Sequence, residues 1–255
     1  MKLTPMRLRL ASLGLLVLLL AAWELGARAS GLSALVLPAP SSVLRALWQG
    51  LASGYFWPHI RATGLELLAG LALGCGIGFS SGVAMAESPL LKGLLKPYVV
   101  VSQVIPKLAL MPLFIVWFGF GMTSTVVITA LICFFPLMEN TVTALQQVDP
   151  QRLELFRMLG ASRRQTLLRL KLPAGLPGIL AGLRVAVVLA LVGAVVGEFI
   201  GASQGLGALI IAAQGTMDTP LMFAVLVLIA ALGLLLYAST LALERRLLLP
   251  YTRIN

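Results

Sequence analysis

The stretch ELFRMLGASRRQTLLRLKLP, residues 154–173, places Arg157, Arg163, Arg164, Arg169 and Lys171 between two long apolar runs. It also carries helix punctuation. Just upstream, Asp149-Pro150 is a helix start: Asp caps free N–H groups and Pro is preset for the first helical position. The pattern predicts a helix to about Leu159 that closes at Gly160, a residue type that tolerates positive φ. Ser162 followed by Gln165 is a capping-box pattern for a second helix, expected to reach about Leu172 and end at Pro173. Leu153, Phe156 and Leu159, three residues apart, lie on adjoining faces of the first arm. A basic loop touching lipid headgroups accounts for the arginines. It does not account for two consecutive capped helices with an apolar stripe, which suit docking on a partner protein.

The chain around this segment is mostly oil. Its 255 residues are 59% hydrophobic and 11% charged, with a mean hydropathy of +0.99. Soluble domains average roughly 45–50% apolar and about 25% charged. Long nearly uncharged apolar blocks read as transmembrane helices. The expected fold is all-α, a polytopic membrane protein of about six transmembrane helices with a cytoplasmic helix-turn-helix over 149–173. The spans fall near 10–27, 64–85, 97–118, 124–146, 178–200 and 221–243, within one transmembrane domain covering 1–255.

Lys and Arg placement sets the orientation. With both termini cytoplasmic, the inner segments hold Lys2, Arg7, Arg9, Lys92, Lys96, Arg152, the five basic residues above, Arg184, Arg245, Arg246 and Arg253. The outer segments hold only Arg28, Arg45 and Arg61. The net charge of +10 therefore follows membrane topology, and no nucleic-acid partner is expected. The first span has a rival reading as a signal peptide cleaved before Ser30, which would leave five spans in the same orientation. Trp23 and Glu24, where a cleavage region is small and neutral, favour a retained span.

Other candidate chemistry is sparse. Cys75 and Cys133 lie in apolar runs without CxxC or His companions, so they read as packing residues. His59 is the only histidine, which leaves no zinc site or His-based triad. No pair of carboxylates is expected to share a site, and no phosphate-binding G-x-x-x-x-G-K-[ST] loop is present. Glycines recur every four residues at 70, 74, 78 and 82 and again at 193, 197, 201 and 205, near one helix face in each case. Tight helix packing explains both strips; a second reading turns the later strip towards a symmetry mate or moving gate. Lys107 falls inside the third span between Pro106 and Pro112, which should interrupt the helix. A charge there faces protein or a wet cavity, either paired with a carbonyl freed by the prolines or lining a path and attracting an anion. Glu198 and Glu139 read first as local hydrogen-bonded carboxylates and second as gating residues.

Glu154, Gly160, Leu170, Leu172 and Pro173 match the spacing of the EAA…G…I-x-LP loop of bacterial ABC importer permeases, which the segment resembles. Leu155 and Phe156 replace the usual Ala-Ala, and Leu170 replaces Ile. Ile105–Gly121, Leu37–Trp48 and Gly197–Ile210 look like the nitrate/sulfonate/taurine branch of that family. The resemblance implies the type I importer permease fold in a bacterial inner membrane. It makes Glu154, Leu155, Phe156, Gly160, Ala161, Leu170, Leu172 and Pro173 an ATPase-coupling loop. It further implies a homodimer with the path at its two-fold interface, two ATP-binding cassette subunits that use ATP and Mg, and a periplasmic substrate-binding protein docking near 30–60 and 201–220. No cofactor, metal or catalytic residue is expected on this chain. Lys107, Pro106, Pro112, Glu198, Gly205 and Gly207 are the candidates for path or gate.

The function expected is a permease for a small anionic solute, sulfonate, taurine or nitrate-like. The alternative solute is a thiamine-precursor pyrimidine or another small organic molecule. An ion-coupled transporter would show inverted repeats or paired broken helices, and only one span here is interrupted. A membrane enzyme would need clustered acids or metal ligands, whereas the charges here are mostly basic.

Overall fold

The computed structural model describes residues 5–29, 31, 33 and 35–252; Lys2, Ser30 and Arg253 lie outside them. All regular structure among the described residues is helical. Helix α1 (Pro5–Ala29) is followed by α2 (Pro40–Ala52), α3 (Trp57–Glu87), α4 (Pro89–Val104), a 3-10 turn (Lys107–Leu110), α5 (Met111–Phe118) and α6 (Met122–Gln146). Then come α7 (Pro150–Met158), α8 (Arg163–Thr166), a π-turn (Leu167–Lys171), α9 (Leu172–Gly201), α10 (Leu206–Gly215) and α11 (Thr219–Thr252). Among the described residues five helical segments are long and apolar enough to cross a membrane, or six if α4 and the α5 segment count as one bent span.

That third span is broken rather than merely kinked. Its two halves meet at 85°, with Pro106 in extended backbone (φ −65°, ψ 97°) at the break. Pro106 has no N–H to give, and the residue before a proline is pushed out of the α region. Pro112 does not interrupt anything, contrary to the expectation. It sits in the first turn of α5, where its missing N–H has no helical partner to lose.

Helix α6 is the centre of the molecule. Its buried residues include Thr125, Ile128, Thr129, Cys133, Leu137 and Met138, with α3 on one side and α9 on the other. The glycine strip of α3 makes the first contact possible: a Cβ at Gly74 would stand 2.3 Å from the Ala130 carbonyl, and one at Gly78 2.6 Å from the Phe134 carbonyl. Such backbone approach is what small residues allow between membrane helices. The later strip packs inside the same chain, not on a mate. Gly193 and Gly197 lie against Thr129 and Thr125 of α6, Gly201 lies against Met111 and Ile115, and Gly205 falls beyond the end of α9.

Helices α1 and α11 pack lightly, and only 6% and 11% of their apolar windows are buried. Leu13, Leu16, Val17, Leu234 and Leu235 are exposed on them. In a bilayer such surfaces meet acyl chains at no cost. Ion pairs tie the bundle at its margins: Lys171 to Glu87 at 2.6 Å, and Arg184 of α9 to Glu244 of α11.

Candidate functional site

The 149–173 hairpin forms by the local chemistry that its sequence announces. The Asp149 carboxylate accepts the Gln151 N–H at 2.9 Å and starts α7. Gly160 adopts φ +69°. Its N–H donates to the Arg157 carbonyl, and the Ala161 N–H donates to the Phe156 carbonyl, both at 3.0 Å. That pair of bonds is a Schellman closure, and it needs the left-handed residue where glycine stands. The capping box of Ser162 and Gln165 is complete, with bonds of 3.2 Å and 2.8 Å.

Two features of the hairpin differ from expectation. First, the second helix does not end at Pro173. It runs as one helix over Arg163–Gly201, 39 residues. The reason is the π-turn, in which the Leu172 N–H reaches back five residues to the Leu167 carbonyl. This register change puts Pro173 at the start of a new α-helical stretch, where its missing N–H is harmless. Second, Leu153 and Phe156 are half-buried against the bundle. The apolar residues turned outwards are Leu155, Met158 and Leu159, at 54%, 81% and 72% exposure. Their i, i+3, i+4 spacing puts them on one face. Glu154 and Gly160 are exposed beside them, Ala161, Leu172 and Pro173 are half-buried, and Leu170 is buried.

Lys107 opens onto a cavity of about 490 Å³ whose wall includes Gln103, Pro106, Phe135, Glu139 and Val192. Its ammonium stands 4.7 Å from the centre of the Phe135 ring, a cation–π arrangement. The ring, rather than a proline-freed carbonyl, is the neighbour the structure supplies. Glu139 accepts a hydrogen bond from Gln103 Nε2 at 3.1 Å. Lys107, Gln103 and Glu139 thus give one mostly apolar cavity a cation, an amide and a carboxylate.

The end of the bundle away from the hairpin holds a second polar constellation. Glu198 is 1% exposed. Its Oε2 accepts the Gly207 N–H at 2.5 Å, and the Ala208 N–H and Thr63 hydroxyl also donate to its carboxylate. Glu198 therefore caps the N-terminus of α10, where free N–H groups and the helix dipole favour an anion. Gly205, at φ +132°, and Gly207 make room for it: a Cβ at Gly205 would stand 2.3 Å from Glu198 Cδ. Thr63 Oγ1 accepts the Leu206 N–H at 2.8 Å, and His59 Nδ1 lies 3.2 Å from Gly205 N.

Glu66, also buried, is an electrostatic neighbour of Glu198. This overturns the expectation that no two carboxyls share a site. A readable signal existed: His59, Thr63 and Glu66 sit at i, i+4 and i+7, a polar stripe opening an apolar helix. Glu198→Ala should leave two helix-end N–H groups without their acceptor and cost about 1–3 kcal/mol. Thermal unfolding of the purified variant in detergent measures it, and an unchanged melting temperature would remove the cap from this account.

A membrane-crossing helical bundle without catalytic residues, carrying a capped hairpin with an exposed apolar face, defines the transmembrane subunit of a transporter driven by a separate ATPase. The chain belongs to the family described as binding-protein-dependent transport system inner membrane component, whose signature covers residues 74–249. It is 41% identical over 232 residues to the riboflavin transport system permease protein of Chloroflexus aurantiacus, covering 91% of this chain and 87% of that one. It is 38% identical to the formylaminopyrimidine transport permease protein of Halalkalibacterium halodurans, over 93% of this chain and 94% of the relative. It is 34% identical to the taurine transport system permease protein of Escherichia coli, over 92% and 88%. In fold it is similar to a chain of the MetNI methionine ABC transporter in an inward-facing conformation. The TM-score is 0.64 at 20% identity, over 82% of this chain and 98% of the other.

Proposed function

We propose that this importer permease forms the path for a small anionic solute of the sulfonate, taurine or nitrate kind. The observation that carries the reading is the half-buried Lys107, which faces a cavity instead of an ion-pair partner. A cation in a mostly apolar wall attracts an anion and is screened less than one on a surface. A second reading, a pyrimidine or other small heterocycle, draws on Phe135 for stacking and on Gln103 and Glu139 for hydrogen bonds in the same cavity.

In this reading two copies of the chain flank the path, two ATP-binding cassette subunits using ATP and Mg sit below, and a periplasmic binding protein delivers solute. Both termini are cytoplasmic, as the excess of Lys and Arg on the hairpin side supports. Glu154, Leu155, Phe156 and Gly160 belong to the arm that the ATPase grips. When the ATPase pair closes, α7 and the hairpin move with it and α9 tilts, which opens the path outward. Release of the pair returns it inward-facing.

Lys107→Met tests the anion reading. ATP-dependent uptake of an anionic solute should fall about tenfold or more, the worth of one hydrogen bond to a charged group. ATPase subunits should still co-purify. Uptake of the anion equal to wild type would sink the role given to Lys107.

A further inference from the structure

The cavity opposite the hairpin, about 390 Å³ in volume, is lined by Arg61, Glu66, Gly121, Met122, Ser203 and Gln204, among others. Its wall is rich in acceptors and poor in donors. Glu66 is 4% exposed, and its Oε2 has no hydrogen-bond partner. Glu198 beside it likewise has an Oε1 without a partner. The donors of this region, the Gly207 and Ala208 N–H groups and the Thr63 hydroxyl, are spent on Glu198. Arg61, exposed and also lining the cavity, makes no ion pair with Glu66. Buried polar atoms are ordinarily satisfied, so a carboxyl oxygen aimed into a cavity without a donor is a place for a donor-bearing guest.

We propose that this cavity receives an amine-bearing solute, its N–H donors seated against Glu66 and its acidic or carbonyl group turned to Arg61. The inference rests on the import reading above and narrows it, since a simple anion such as nitrate has nothing to offer Glu66. The shared chemistry is an N–H donor, and it has two sources: the ammonium of an aminosulfonate or the ring amino group of an aminopyrimidine. Charge pairing to a buried carboxyl is the stronger kind of hydrogen bond. A site built to bond an N–H group rejects the analogue lacking it, because its own polar atoms are then left bare.

The test uses the complete importer in nanodiscs without nucleotide. Dicyclohexylcarbodiimide labels buried carboxyls, and mass spectrometry reads the extent at Glu66. The probes are taurine against ethanesulfonate and 4-aminopyrimidine against pyrimidine. Several-fold protection by taurine alone assigns an ammonium ligand, and protection by 4-aminopyrimidine alone assigns a ring amino group. Equal protection by an amine-free partner, or none by any of the four, overturns the proposal. Glu66→Gln keeps shape and a donor. It should raise the KM for the protecting amine about tenfold or more and leave amine-free analogues alone. If Glu66 merely shared a proton with Glu198, the glutamine would leave KM unchanged, and that result also overturns the proposal. Labelling needs no transport, so its outcome is independent of the Lys107 experiment.

Discussion

Leu155→Glu together with Leu159→Glu should strip the ATPase from the permease while leaving the permease in the membrane. Both side chains are more than half exposed on α7, on the face that also carries Met158. Neither contributes to the bundle core, so folding should survive. Burying a leucine against a partner is worth about 1.5–3 kcal/mol. Losing two leaves the complex weaker by about 3 kcal/mol or more, roughly two orders of magnitude in affinity, and the new carboxylates add a desolvation penalty. Co-purification with the ATPase and ATP-dependent uptake in proteoliposomes are the measurements. A double variant that still imports solute at the wild-type rate would remove α7 from the docking surface. Membrane abundance of the variant, followed on the same preparations, separates a docking failure from a folding failure.

Gly74→Val should prevent assembly of the bundle altogether, whereas Gly76→Val, two residues along the same helix, should be silent. A Cβ at Gly74 would meet the Ala130 carbonyl at 2.3 Å and Cys133 Sγ at 2.5 Å, while one at Gly76 would meet nothing within 4 Å. The obstruction at Gly74 is backbone, which has no rotamer to escape into. Overpacking costs about 1–3 kcal/mol when side chains can shift and more when they cannot. Three further close approaches lie along the same seam, at Gly70, Gly78 and Gly82, and all would have to widen together. Size-exclusion profiles and protease resistance of the two variants report the difference. Equal behaviour would mean that α3 and α6 are not held at backbone distance.

What could be read from the chain, and what could not, divides along the range of the interactions involved. Asp149, Gly160, Ser162 and Gln165 act on backbone within a few residues, so the hairpin caps were visible without a structure. The spans were legible because hydropathy over about 20 residues is itself a property of the chain. Pro173 misled because a proline is a helix stop only when the register is kept, and the π-turn changes the register just before it. Periodicity showed that Gly193 and Gly197 share a face but could not say whose backbone lay opposite, and the answer was α6. The outward face of α7 was shifted for the same reason: the first arm's stripe is shared between bundle and surface, with Phe156 turning in and Leu155 turning out. Glu66 and Glu198 are brought together by two different helices, and pairing of that kind leaves no trace in local spacing.

The unbroken helix from Arg163 to Gly201 bears on timing. At 1.5 Å per residue it is about 58 Å long, nearly twice the hydrocarbon thickness of a bilayer. Its near end adjoins the gripped arm, and its far end holds the Glu198 carboxylate that anchors α10. A stiff rod has no slack to take up, so both mouths of the molecule receive a shove from the ATPase in the same instant. The gate that opens and the gate that closes are two ends of one piston, and an interval with both ajar is excluded by its construction.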